Sequence, residues 1–138
     1  MVPEAGAWAE FVAKTSLGNH IAIDFAYETP TPLYTGSKSS HLDPVTGKVR
    51  EWVSPSGDSS GPYAMAIDTD DRIWFVETGS RPNKLIGFSP NSGTFISKTE
   101  IPSGGGSVRH MVHDPKTDNL WFGTDRGTLG QARIPAAS

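Results

Sequence analysis

Two stretches of this chain carry nearly the same text, and that duplication limits what it can fold into. Residues 43–79 read DPVTGKVREWVSPSGDSSGPYAMAIDTDDRIWFVETG, and residues 89–125 read SPNSGTFISKTEIPSGGGSVRHMVHDPKTDNLWFGTD. Pro44 returns as Pro90, Gly47 as Gly93, Met65 as Met111 and Asp68 as Asp114, each 46 residues on. Pro55-Ser56-Gly57 returns as Pro102-Ser103-Gly104 and Trp74-Phe75 as Trp121-Phe122, each 47 on. A period of roughly 40–50 residues is the mark of a repeat array, in which one small supersecondary unit buries its apolar face by stacking on the next.

Within each unit the period is that of strands. Asp-Pro-x-Thr-Gly at Asp43–Gly47 is a turn, because Pro presets φ, Asp bonds the backbone ahead of it and Gly accepts positive φ. Lys48–Val53 alternates, Pro55–Pro62 is a Gly/Ser/Pro loop, and Tyr63–Ile67 is a short apolar strand with the small Ala64 and Ala66 on one side. A tight turn at Asp68–Asp71 leads into Arg72–Glu77, rich in aromatic and β-branched residues, and Lys84–Phe88 follows after a loop. Sustained helical periodicity is absent from residues 43–134. Four short antiparallel strands per unit make one propeller blade, so the expected fold class is all-β, with about three four-stranded antiparallel units. The expected division is a degenerate blade at 1–42, a blade at 43–88 and a blade at 89–138.

The first 42 residues are the least regular. Ala7–Lys14 reads as a strand, with Trp8, Glu10 and Val12 on one face and Phe11 on the other, or as a short amphipathic helix. Asn19–Phe25 is a strand, and aligning Asp24 with Asp68 places Leu33-Tyr34 against Ile73-Trp74. Three blades do not close a propeller, which usually takes four to eight. Apolar blade faces and open sheet edges then imply a homo-oligomer, or N-terminal blades lying outside this sequence, or strands exchanged between copies.

Composition removes several function classes. A net charge of -3 over 138 residues carries no nucleic-acid footprint, and no run approaches the roughly 18 apolar residues of a membrane span. The absence of Cys excludes disulfides and thiolate metal sites. The first residues, MVPEAGAWAEFVAK, do not read as a signal peptide, and the compartment stays open.

The segments DPVTGKVREW, SGPYAMAID, RIWFVETG, LIGF, IPSGGGSVRH and LWFGTDRGTLGQARI together resemble the streptogramin B lyase family. The match runs from about Asp43 to Ile134, and Gln131–Ile134 looks like the C-terminal end of such proteins. The resemblance implies a seven-bladed propeller that opens cyclic depsipeptide antibiotics, virginiamycin B among them, by magnesium-dependent elimination, an antibiotic-resistance activity. It also implies working residues at two places in a blade: a His just after the Pro opening the innermost strand, and a Glu ending the Trp-Phe strand. In an antiparallel hairpin those two points share one edge, so they gather at one mouth of the central channel.

Carried across by position, Glu77 in Trp74-Phe75-Val76-Glu77 takes the Glu place, and Asp125 falls where the second carboxylate is expected. Tyr63 stands where the His would follow Pro62, and in the next unit Arg109 stands there with His110 one step on. The implied catalytic set is therefore His110, Arg109 and Glu77, with Tyr63 and His113 as ligand contacts and Glu77 with Asp125 as holders of Mg2+. Simple alternation places Arg109, Met111 and His113 on one side of the strand and His110 with Val112 on the other. No unit holds both family residues, so two classes of function stand open. One is a lyase acting on a cyclic peptide or lactone; the other is a non-catalytic propeller module that binds a small molecule, a peptide or a partner protein, or associates with itself.

Overall fold

The computed structural model describes residues 8–14, 20–28, 33–34, 38–42 and 46–137, with side chains from residue 46 onward except at 49. The opening of the first turn, at residues 43–45, lies outside the described residues, as do 1–7, 15–19, 29–32 and 35–37. The chain divides into two compact units, Met1–Pro62 and Tyr63–Ser138.

In the first unit, β1 (Trp8–Lys14), β2 (His20–Glu28), β4 (Lys38–Leu42) and β5 (Val49–Val53) form one antiparallel sheet in that order, and the short β3 (Leu33–Tyr34) pairs with β2. Ala7–Lys14 is thus a strand rather than a helix, from its second residue on.

The second unit holds two sheets. The first is β6 (Pro62–Ile67), β7 (Ile73–Glu77), β8 (Lys84–Ser89) and β9 (Thr94–Glu100), in chain order. The second is β10 (Val108–Asp114), β11 (Asn119–Thr124) and β12 (Leu129–Arg133), with no fourth strand among the described residues. The fold is propeller blades, and no described helix is long and apolar enough to cross a membrane. Each sheet starts at its Pro62 or Val108 strand, so the hydrogen-bonded groups run one strand out of phase with the repeat units 43–88 and 89–138.

The two sheets of the second unit pack face to face over one apolar core. Ala64, Trp74, Val76 and Leu85 come from the first sheet; Val108, Met111, Leu120 and Phe122 come from the second; Ile101 and Ile134 close the ends. The Trp-Phe dipeptide supplies both sides of it by using opposite residues. Trp74 faces the core in the first sheet and Phe122 in the second. Each ring lies over a glycine directly across the ladder: Trp74 pairs with Gly87 and Phe122 with Gly130. A Cβ on Gly87 would sit 2.8 Å from the Trp74 ring, and one on Gly130 would run into Phe122. Glycine therefore lets a large ring lie flat on its neighbouring strand, a cross-strand pairing that removes the gap a glycine leaves in a sheet. Ile73, Phe75, Ile86 and Phe88, on the other face of the first sheet, are buried too, with Phe95 packed edge-on against Phe75 and tilted against Phe88.

The turns behave as their residues require. Gly47 and Gly93 both take positive φ (68° and 67°), and Asp71 and its repeat counterpart Asp118 do so as well (58° and 55°), a region Asp tolerates better than most residues. Asp68 anchors the first of these turns. Its Oδ1 accepts from the N–H groups of Asp70 (2.9 Å) and Arg72 (3.0 Å), and its Oδ2 accepts from Arg72 Nε (2.6 Å) and Trp74 Nε1 (2.8 Å). Arg72 then donates to the carbonyl of Pro135 at 2.8 Å, so one buried carboxylate ties the β6–β7 turn to the segment after β12. Asp114 keeps only the local half of this arrangement. The Thr117 hydroxyl (2.6 Å to Oδ2) and the Lys116 N–H (3.0 Å to Oδ1) hold its carboxyl below the usual range, and both contacts are exposed.

Candidate functional site

The mouth expected from the sequence would fall where β6 and β10 begin and β7 and β11 end. At the start of β10 the ladder slips: Val108 pairs with Thr124 but Met111 with Phe122. One extra residue has entered β10, and this bulge corrects the expected alternation. Val108 and Met111 are both buried in the core, while Arg109 and His110 are both exposed, so the two cationic or polar side chains present together instead of on opposite faces. Bulges recur next to functional sites because they re-aim side chains in this way. His113 is not part of the group. Its Nε2 lies 2.9 Å from Asp118 Oδ1, three residues deeper in the hairpin, where it ties β10 to the turn.

Glu77, at the end of β7, is fully buried and sits across the ladder from Lys84. Its place in the repeat, counted from the Trp-Phe pair, is taken in the second sheet by Thr124 rather than Asp125. Asp125 falls one residue beyond β11, and its Oδ1 accepts the Ser107 N–H at 2.9 Å while its own N–H bonds to the Ser107 carbonyl. It therefore closes the entrance to β10 by holding the Gly-rich loop. A hard divalent cation needs several convergent oxygen ligands. No group of three or more His, Asp or Glu converges among the described residues, and the Asp125 oxygen is already used by Ser107. Glu77 and Asp125 thus do not fit a magnesium site in this arrangement.

Tyr63 is half-buried at the start of β6. Its neighbour Ala64 is packed at 2 % exposure under the second sheet, whereas its repeat counterpart His110 is open to solvent. The pair differs because a sheet covers the first position and the bulge lifts the second.

Asn83 is the residue that sequence reading missed. It is buried, its Nδ2 donates to the carbonyls of Thr78 and Ser80, its N–H bonds to Gly104 and its carbonyl accepts from Ile101. It joins the β7–β8 loop to the β9–β10 loop. Gly105, at φ 74°, lies against the Asn83 side chain, where a Cβ would collide with it. The available signal was the run Gly104-Gly105-Gly106 itself, which marks a close backbone approach.

No known family and no curated protein matches this chain. Solved structures do. Virginiamycin B lyase from Staphylococcus aureus is 18% identical, with a TM-score of 0.61 over 98% of this chain and 44% of that one. A streptogramin B lyase is 19% identical, with a TM-score of 0.58 over 96% and 43%. A luciferin-regenerating enzyme is 16% identical, with a TM-score of 0.65 over 95% and 44%. The chain spans less than half the length of these proteins. The likeness establishes a streptogramin-lyase-like propeller fold and leaves the chemistry to the residues.

Proposed function

We propose that this chain is a binding piece of a streptogramin-lyase-like propeller, taking a cyclic peptide or lactone at the mouth where β6 and β10 begin. The observation that carries this reading is the bulge, which exposes Arg109 and His110 side by side. A guanidinium and an imidazole together donate hydrogen bonds to ester and amide carbonyls, and the Tyr63 ring adds an aromatic wall. The carboxylates needed for a metal-assisted reaction are otherwise engaged, Glu77 by burial and Asp125 by the Ser107 N–H.

A lyase is the second reading, and one observation favours it: Trp74-Phe75-Val76-Glu77 keeps the Trp-Phe-x-Glu pattern of the lyases. In that case His110 would take the α-proton, and further ligands would come from blades outside this sequence. Incubation with a streptogramin B antibiotic and magnesium, followed by mass spectrometry, separates the two. Binding alone predicts unmodified antibiotic that co-elutes with the protein. A ring-opened product of unchanged mass would instead establish elimination, a product heavier by one water would establish hydrolysis, and antibiotic that neither reacts nor co-elutes would refute both readings.

A further inference from the structure

A glycine inside a strand leaves a gap, and in this unit rings fill such gaps. Gly87, Gly123 and Gly130 are the glycines of the described strands. Trp74 covers Gly87 and Phe122 covers Gly130, each from directly across the ladder. Gly123, in β11, is bare. Apart from its chain neighbours, no atom of the described residues lies within 4 Å of where its Cβ would stand, and the residue is exposed. Glycine at such a position often marks a close approach by another molecule.

The register sets this recess beside Arg109 and His110. Val108 pairs with Thr124 and Met111 with Phe122, so the two bulge residues stand opposite Gly123 alone. With Val108 and Met111 turned into the core, Arg109, His110 and Gly123 share the other face of the sheet. On its far side Gly123 pairs with Leu129, which is 72% exposed. One row along that face, Val112, also largely exposed, pairs with the half-buried Trp121. The recess therefore has a guanidinium and an imidazole on one flank and apolar side chains on the others.

The repeat argues against a further blade as the cover. The first sheet packs on the second through Ala64, Trp74, Val76 and Leu85. At the corresponding positions the second sheet carries His110, Trp121, Gly123 and Leu129. Gly87, across from Trp74, is replaced by Gln131, across from Trp121. An apolar sheet stacked here would strip water from the Arg109 and His110 side chains without replacing its hydrogen bonds, whereas a carbonyl-bearing ligand replaces them.

We propose that Gly123 is the aromatic subsite of the ligand site at Arg109 and His110. A phenyl-type ring of the ligand lies flat over Gly123, between Leu129 and Trp121, and the carbonyl beside that ring accepts from Arg109 and His110. The ring takes the part that Trp74 and Phe122 play at Gly87 and Gly130. The subsite rests on the reading of Arg109 and His110 as the ligand's polar contacts, and it narrows the ligand to one with an aromatic side chain.

The probes are N-acetylphenylalaninamide and N-acetylalaninamide, titrated into the full chain and followed by NMR. The phenylalanine probe is expected to shift the Gly123 amide and Leu129 methyl signals through its ring current, and to bind about tenfold more tightly than the alanine probe. Gly123→Val restores the side chain that Val76 supplies in the first sheet, fills the recess, and is expected to weaken the phenylalanine probe about tenfold. The same variant should keep or raise the urea midpoint, because valine suits a strand better than glycine and meets no atom here. A merely structural role would move affinity and midpoint together. Equal binding to wild type and variant, no preference for the phenylalanine probe, or no binding of either probe would overturn the proposal. So would concentration-dependent association that Gly123→Val abolishes with no probe bound, which would assign the recess to a second copy. Phenylalanine-probe binding without antibiotic binding would refute the cyclic-peptide reading alone; antibiotic binding untouched by Gly123→Val would refute this subsite alone.

Discussion

Replacing Asp68 with Ala is expected to remove about 3–5 kcal/mol of stability, the range seen when one partner of a buried ion pair is deleted. The carboxylate is wholly buried beside Arg72, which is itself nearly so. Four donors converge on it: two backbone N–H groups that shape the turn, the Arg72 guanidinium and the Trp74 indole. The Ala variant leaves the guanidinium without its nearest anion and the indole N–H without an acceptor, in a place water does not replace them. Arg72 also holds the Pro135 carbonyl, so the damage extends to the segment after β12. Against a typical domain stability of about 5–15 kcal/mol this is a large fraction. Urea denaturation should show a strongly lowered midpoint. The repeat counterpart Asp114→Ala should shift the midpoint only slightly, because its two contacts are local and exposed. Equal effects from the two variants would mean that the turn alone, and not the buried cluster, carries the stability.

Phe122→Ala is expected to be comparably damaging, at about 3–5 kcal/mol, since it empties the centre of the interface between the two sheets. Its coupling to Gly130 is the more specific expectation. In the wild type, Gly130→Ala forces a methyl group against the Phe122 ring and should cost about 1–3 kcal/mol. Once Phe122 has been truncated the same methyl group meets open space, and its cost should fall close to zero. The double-mutant cycle therefore has a large interaction energy, whereas independent sites would add within about 0.5 kcal/mol. Additive costs would show that the ring does not rest on that glycine.

How much of this was readable in the sequence varies with the physical cause. The repeat was legible because stacked blades impose one set of turns and one aromatic pair on each unit, and Gly47, Gly93, Asp68 and Trp74 all sit where that reading places them. The roles within the aromatic pair were not legible, because Trp74 and Phe122 reach the same core from alternate positions of the same dipeptide. The bulge at Arg109-His110 was hidden for a related reason. A single inserted residue changes which side chains share a face without changing composition or spacing, and only the ladder shows it. Asp125 was placed one residue too early against Glu77, since a Trp-Phe match fixes Thr124 and not Asp125 at the strand end. Burial of Glu77 depends on contacts distant in sequence, which a local pattern does not carry. Asn83 has no counterpart in the second unit, so comparing the repeats passed over it.

The mouth is the part on which the functional reading depends, and Arg109 with His110 is its centre. Both side chains are exposed, so replacing them should leave folding intact. Calorimetric titration of the proposed cyclic depsipeptide ligand into the wild type and into Arg109→Ala/His110→Ala, without added metal, tests this directly. The account predicts saturable binding to the wild type and a loss of about 10–100-fold in the double variant, corresponding to hydrogen bonds from a charged and a polar donor at about 1.5–3 kcal/mol in total. Equal affinity in the two proteins, with unfolding midpoints unchanged, would contradict it.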